Sequence, residues 1–166
     1  MKKAIIFLFI IFLFSLITIK KDHTIIPKNS IRFRIIANSN SIEDQAIKWK
    51  VNEKLLPILN EIDNTSYNES KISLKSNLKR IEKEINSLNV NYKINLGNNY
   101  FPEKEYDNIT YPEGYYDSLV ITLGEGKGDN WWCVLFPPLC LIETKENEID
   151  KVTYSSYIKT IINKYS

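Results

Sequence analysis

Cys133 and Cys140 are the two cysteines of this 166-residue chain, and their spacing allows several kinds of chemistry. Such a pair can form a disulfide, remain as two free thiols, or supply half of a metal site. A zinc site would need two further soft or imidazole ligands, and His23 is the single histidine that could contribute. Outside the cytoplasm an even cysteine count favours a disulfide. We therefore predict a Cys133–Cys140 disulfide and no metal site, with free thiols as the alternative.

Few residues are of the types and in the patterns that catalysis requires. With His23 as the single histidine, a serine or cysteine nucleophile has no obvious base. Ser39 lies between two asparagines, which is typical of a turn. The glycine-rich stretch Leu123–Asp129 lacks the Ser or Thr that follows the lysine of a phosphate-binding loop, so it predicts a hairpin turn. We expect no catalytic residues, no enzyme activity, no cofactor and no small-molecule substrate.

Trp131 and Trp132 are adjacent within the apolar run from Asn130 to Phe136. Neighbouring side chains of a strand point to opposite faces, so the two indoles cannot share one face. A central strand covered on both faces fits this pattern, and so does a strand that offers one face to a partner protein. The candidate partner-binding residues of the strand and of the loop that follows it are Asn130, Trp131, Trp132, Pro137 and Pro138.

Arg32 and Arg34 lie on the same face of a predicted strand that begins at Ile31. Both side chains could be solvated. Alternatively, Arg34 reaches a carboxylate, for which Asp44 and Asp117 are candidates, or it contacts a ligand. Contact with a carboxylate within the domain is the simpler interpretation for Arg34. The turn after this strand is the second region that could contact a partner. Arg34, Asn38 and Ser39 complete the set of predicted partner-binding residues.

The elements that must position these residues follow from periodicity, and their order is strand, helix, helix, three strands, helix. This order predicts an α+β domain with a mostly antiparallel sheet and packed helices. Ser41 is placed to cap the first helix, which Pro57 would kink or end near Leu56. The other predicted elements are one amphipathic helix over 69–88, strands over 90–96, 115–123 and 130–136, a loop-rich stretch over 97–114, and a helix over 149–162.

An uncharged, apolar run from Ala4 to Ile19 follows two lysines at the N-terminus. This arrangement is typical of a signal peptide or a signal anchor, and a buried core helix is the alternative. At ~1.5 Å per residue the run spans about 24 Å, slightly less than a ~30 Å hydrocarbon core. We predict a signal peptide or anchor over 1–21, a stalk over 22–30 and one exported domain over 31–166. Both a cleaved and a retained segment remain possible.

The net charge is +2 at pH 7, which does not suggest a nucleic-acid-binding protein. About 140 residues remain after the N-terminal segment, which is the usual size of one domain with a hydrophobic core of its own.

Four stretches together resemble the stage II sporulation protein R family. Ile31–Asn40 is similar to the Arg-x-Arg-Ile-x-Ala-Asn-Ser sequence at the start of that family. Val120–Gly126 and Asn130–Cys140 are similar to its second signature, and the latter contains Asn-Trp-Trp-Cys and Pro-Pro-Leu-Cys. Tyr111–Tyr116, with the pair Phe101-Pro102 before it, matches the stretch between them. The resemblance extends from about residue 31 to residue 141.

The resemblance implies a signalling role in endospore-forming bacteria. Members of that family are made in the forespore and exported to the space between the two membranes. There they trigger a membrane-bound aspartic protease, which removes the pro-sequence of the sigma-E transcription factor. The implied partners are that protease and, through the N-terminal segment, the membrane. The rival interpretation is a secreted cell-wall hydrolase or cell-wall-binding protein.

Overall fold

The computed structural model describes residues 24–106, 109–140 and 151–165, with the backbone alone for residues 106 and 151–157. Within these ranges the helices are α1 (Ile42–Asn60), α2 (Tyr67–Ser76), α3 (Leu78–Asn86) and α4 (Lys151–Tyr165). The strands are β1 (Thr24–Ile25), β2 (Ile31–Ile36), β3 (Tyr92–Phe101), β4 (Lys104–Tyr106), β5 (Ile109–Tyr111), β6 (Gly114–Leu123) and β7 (Asn130–Phe136). The α+β prediction is confirmed.

The N-terminal apolar run from Ala4 to Ile19, predicted as a signal peptide or anchor, lies outside the described residues. None of the helices within the described ranges is long and apolar enough to span a membrane.

The main sheet contains four strands in the order β3-β6-β2-β7, and a smaller sheet has the order β1-β5-β4. β2 runs parallel to β6 and β1 runs parallel to β5, whereas the other pairs are antiparallel. The sheets are therefore mixed, and the prediction of a mostly antiparallel sheet was wrong. Alternation along a strand fixes which residues share a face, but it does not fix which strand lies beside it. Here β6 lies between β2 and β3, and its direction matches that of β2.

The glycine-rich stretch between β6 and β7 is a turn but not a hairpin, because β2 lies between the two strands that it joins. The turn crosses the end of β2, where the amides of Lys127 and Gly128 donate to the carbonyls of Asn38 and Ala37, both at 2.9 Å. Gly128 is required by this close approach, since an added Cβ would lie 2.2 Å from the Ser39 carbonyl oxygen.

The first two helices begin at side-chain caps. The Ser41 hydroxyl accepts from the Asp44 amide at 3.1 Å, as predicted for the start of α1, and Ser66 caps α2 in the same way. α1 continues past Pro57 to Asn60, so of the two predicted effects of Pro57, a kink or an end near Leu56, the end does not occur. Pro57 lies on the exposed side of the helix, where water can bind the carbonyl group that loses its amide partner.

The long helix predicted over 69–88 is divided into α2 and α3 at Asn77. The Asn77 side chain donates to the Ser73 carbonyl at 3.0 Å. It thereby competes with the backbone amides for a carbonyl group of the helix. The apolar stripe itself is confirmed, because Leu74, Ile81 and Ile85 are buried.

The main core lies between the sheet and helices α1 to α3. It contains Phe33 and Ile35 of β2, the inward residues of β6, and the buried residues of the three helices. A second apolar cluster contains Ile26, Ile109, Tyr111, Val134, Leu139 and Ile158, and joins the small sheet to α4. Because β1 pairs with β5 and Ile26 is fully buried, the folded domain includes residues 24–30, which the sequence analysis assigned to a stalk.

Candidate partner-binding face

The ladder between β2 and β7 separates the two tryptophans. Trp131 lies opposite Ile35, and Trp132 lies opposite Arg34. The Trp131 ring contacts Phe33 edge to face at 5.6 Å and packs against the core that the helices cover. It therefore belongs mainly to the interior of the domain.

Trp132 lies on the opposite face of the sheet. Its ring contacts Phe101 edge to face at 5.3 Å, in a cluster that also contains Tyr116 and Val120. Ile36 packs against the same cluster, to which no helix of the described residues contributes. Trp132 is half-buried, so part of the indole is accessible to a partner. We call this side of the sheet, defined by Arg34, Trp132 and their neighbours, the arginine–tryptophan face.

Aromatic rings surround the two arginines of β2. The Arg34 guanidinium lies 4.7 Å from the centre of the Phe101 ring and 5.8 Å from that of Trp132. The Arg32 guanidinium lies 3.7 Å from the centre of the Tyr116 ring. Contacts of this kind contribute about 0.5–2 kcal/mol each, so they offset part of the cost of burying a cation.

The prediction that Arg34 holds Asp44 or Asp117 was wrong. Asp44 accepts instead from Asn38 and Ser39, and Asp117 accepts from Tyr67 and Lys71. Arg34 points to the face of the sheet opposite α1 to α3, away from both carboxylates. The alternation of side chains along the strand placed Arg34 on the same face as Arg32. It could not show which other side chains cover that face.

Neither arginine of β2 is paired with a carboxylate among the described residues. Arg32 is 1% exposed, and its two terminal nitrogens are buried without a hydrogen-bond partner among the described residues, as is Nε of Arg34. Burial lowers the pKa of each guanidinium below its usual value. At about 7 Å, the spacing of alternate residues on a strand, two such charges repel by about 2 kcal/mol at an effective dielectric of about 20. A negatively charged ligand would relieve this repulsion.

Lys104 of β4 contributes a third cation to the arginine–tryptophan face. Its ammonium nitrogen lies 5.6 Å from the centre of the Trp132 ring, and its side chain is exposed. Sequence reasoning missed Lys104, and it used Phe101 for the family resemblance alone, because both residues lie in the stretch over 97–114 that was predicted as loop-rich. The Phe-Pro pair at residues 101 and 102 was the one available signal, and it gave no position in space.

Asn38 and Ser39, predicted to bind a partner, are engaged within the domain. Asn38 Nδ2 and the Ser39 hydroxyl donate to Asp44 at 2.9 and 2.5 Å. Asn38 Oδ1 accepts from the Glu125 amide at 2.8 Å, which holds the turn between β6 and β7 against the end of β2. The bonds from Ser39 and then Asn38 hold the pKa of Asp44 below its usual value, although burial opposes this shift. These two residues position a turn, and a contact with a partner stays a prediction.

The loop after β7 folds back on its own strand. The Cys133–Cys140 disulfide predicted from the sequence is present, with 5.0 Å between the two Cα atoms. The Leu139 amide donates to the Val134 carbonyl at 3.0 Å. Pro137, which follows a cis peptide bond, is buried, and Pro138 is partly buried. Asn130, at the start of the strand, is exposed. No cluster of three or more potential metal ligands occurs in the described parts of the chain.

These features define a small α+β domain whose main sheet has α1 to α3 on one side. On the other side lie the small sheet with α4 and, beside them, a cationic, aromatic surface. The chain belongs to the stage II sporulation protein R family, because the family model of that description matches residues 27–146. The chain is also 37% identical over 173 residues to Stage II sporulation protein R of Bacillus subtilis (strain 168), a match that covers 91% of this chain and 76% of the relative. No solved structure matches the chain.

Proposed function

We propose that this protein is an exported signalling protein of endospore formation. Its task is to activate the membrane-bound aspartic protease that processes pro-sigma-E. The family membership supports a role in sporulation. The resemblance in the Asn-Trp-Trp-Cys and Pro-Pro-Leu-Cys sequences is the reason for proposing activation of this particular protease.

The observation that carries the proposal is the division of the two tryptophans between the two faces of the sheet. Both rings are half-buried, but Trp131 packs against the helix-covered core, whereas Trp132 lies beside Arg34 and Lys104. Tryptophan and arginine are the residues most enriched among those that dominate the energetics of protein interfaces. An activator needs such a surface, and it needs no catalytic groups.

Export to the space between the membranes is part of the proposal. It rests on the apolar run from Ala4 to Ile19 and on the disulfide, since disulfides form and persist in oxidising compartments. The N-terminal segment would either anchor the protein or be removed after translocation.

The function can be tested by reconstitution in non-sporulating cells. The full chain is produced together with the protease and pro-sigma-E, and the processed fraction is measured by immunoblot. We expect processing with the wild-type chain. Replacing Leu8 and Phe12 by Asp should abolish it, since each Asp adds about 2.5–3.5 kcal/mol to the free energy of insertion.

The matched control is Leu8→Ile with Phe12→Leu, which keeps the segment apolar and should process normally. Processing by the Asp variant, with the protein shown to remain in the cytoplasm, would contradict the requirement for export. Release of fragments from purified peptidoglycan by the wild-type chain, without any processing of pro-sigma-E, would favour the cell-wall alternative instead.

A further inference from the structure

On the main sheet, the charged residues that face the arginine–tryptophan side are all cations. On the four strands of the main sheet, Asp and Glu occupy none of the described positions that face this side. Arg32, Arg34 and Lys93 do occupy such positions, and Lys104 reaches the same surface from β4. Exposed carboxylates are common elsewhere on the domain, so their absence here distinguishes this side of the sheet.

The buried arginine makes the face an unusual one. A domain can retain a buried guanidinium without a carboxylate partner only at a cost, because the charge loses its hydration on burial. The described part of the chain offers no hydrogen-bond partner to the two terminal nitrogens of Arg32, which lies 5.7 Å from the Phe101 ring that Arg34 also contacts. Its charge therefore adds to the positive potential at Arg34, which is the more accessible of the two.

We propose that the arginine–tryptophan face binds an acidic, extended segment of the protein partner, with a carboxylate of that segment on the Arg34 guanidinium. The inference rests on the function proposed above and names the chemistry of the partner. The planar guanidinium can hold a carboxylate by two parallel hydrogen bonds, and Lys104 supplies a second positive charge beside Trp132.

An extended segment fits the neighbouring strand. Among the described strands, β7 pairs with β2 alone, so its other edge is not part of a ladder at Asn130–Trp132. Further along, the Val134 carbonyl is already bound by the Leu139 amide. A peptide strand added at the open part of the edge would place alternate side chains on the arginine–tryptophan face.

The test uses the full chain in a neutral detergent and two synthetic hexapeptides. One alternates Thr and Glu, the other alternates Thr and Gln, and both have blocked termini. Binding is followed by NMR through the indole N–H signals of Trp49, Trp131 and Trp132, assigned with single Trp→Phe variants. We expect the Glu peptide to shift the Trp132 signal more than the other two indole signals. The Gln peptide should bind with an affinity at least about tenfold lower.

Arg34→Gln should weaken binding of the Glu peptide by a similar factor. Arg80→Gln is the matched control, because Arg80 is an exposed arginine of α3 that pairs with Glu61 on the other side of the domain. It should leave binding unchanged. If Arg34→Gln lowers the melting temperature, the wild-type protein still locates the site. There, the peptide should change the chemical shift of the Trp132 indole N–H more than that of Trp131.

Three results would overturn the inference. The first is equal binding of the Glu and Gln peptides. The second is an equal Trp132 shift with inorganic phosphate, which would indicate a general anion site. The third is sedimentation with phosphatidylglycerol vesicles that depends on Arg34, without peptide binding, which would indicate a membrane surface.

Failure of the inference can be told apart from failure of the proposed function. If Arg34→Gln still supports processing of pro-sigma-E and the Glu peptide does not bind, the function stands and the acidic segment is excluded. If the Glu peptide binds as described and the wild-type chain does not support processing, the site stands and the proposed function is wrong.

Discussion

Arg34 lies directly across the β2–β7 ladder from Trp132, and its guanidinium lies 4.7 Å from the centre of the Phe101 ring and 5.8 Å from that of Trp132. The neighbouring pair, Ile35 and Trp131, faces the core instead. Two adjacent tryptophans therefore have different environments, one among helices and one beside cations. Mutation should separate their contributions to folding and to activation.

Trp131→Ala should mainly destabilise the fold. The ring packs on Phe33 within the helix-covered core, and removing a large core aromatic costs about 3–5 kcal/mol when it is fully buried. Trp131 is half-buried, so we expect about 2–4 kcal/mol. Thermal unfolding of the full chain measures this effect, and pro-sigma-E processing should fall only as far as the folded fraction falls.

Trp132→Ala should behave in the opposite way. Its loss removes contacts with Phe101 and the two cations, but none with a described helix, so the fold should lose less stability than with Trp131→Ala. An interface tryptophan typically contributes 2 kcal/mol or more, roughly thirtyfold in affinity, so processing should be strongly reduced. If both variants lose stability and activity in parallel, β7 serves the core alone and the partner surface lies elsewhere.

Gly124→Ala should destabilise the turn that crosses the end of β2. Gly124 has φ +52°, and an added Cβ would lie 2.2 Å from Asn38 Oδ1. Asn38 would have to move and release the Glu125 amide. Strain in the left-handed region and one lost hydrogen bond together cost about 2–4 kcal/mol, which chemical denaturation can measure.

Gly97→Ala is the control for that substitution. Gly97 lies in β3 with no positive φ, and its added Cβ would meet Asn95 Oδ1 at an ordinary 3.6 Å. We expect a change within about 1 kcal/mol, in either direction. Equal losses at the two positions would show that the contact with Asn38 does not anchor the turn.

The sequence contained enough information for the faces of the strands and too little for their order. Alternation placed Trp131 and Trp132 on opposite sides, and it placed Arg32 and Arg34 together, because these relations depend on one strand at a time. The position of β6 between β2 and β3 depends on residues far apart in the chain. The same reason explains why the turn was taken for a hairpin and why Asp44 and Asp117 were taken as partners of Arg34.

Reducing the Cys133–Cys140 disulfide should lower the free energy of unfolding. The entropy of closing so short a loop corresponds to roughly 2.5 kcal/mol, and the adjacent Pro137 and Pro138 already stiffen the unfolded loop, which reduces the effect. We expect a loss of about 1–2 kcal/mol in Cys133→Ala/Cys140→Ala. Mass spectrometry of the native chain should show the mass of two hydrogens fewer than after reduction. Two freely alkylated thiols in protein isolated from the intermembrane space would contradict this prediction.

The contact between Lys71 and Asp117 should make stability depend on pH in the acid range. Lys71 Nζ and the Tyr67 hydroxyl lie 2.5 and 2.6 Å from Asp117 Oδ2, and join α2 to β6. The bond from Lys71, followed by that from Tyr67, holds the pKa of Asp117 below its usual 3.8. Burial, and then the bond to Asp117, raise the pKa of Tyr67 to about 12.

Because the folded pKa of Asp117 is the lower one, its stabilisation is complete above about pH 4 and disappears as the pH falls through the folded value. Lys71→Met should therefore be less stable than the wild type at pH 7, by under about 1 kcal/mol for a pair this exposed. The difference should shrink below pH 4, where Asp117 becomes protonated in both proteins. Lys75→Met, on the same helix, removes a cation that does not contact Asp117 and should show no such trend. Urea unfolding between pH 2 and pH 7 measures all three proteins, and coincident curves for the two variants would mean that Lys71 does not hold Asp117 in solution.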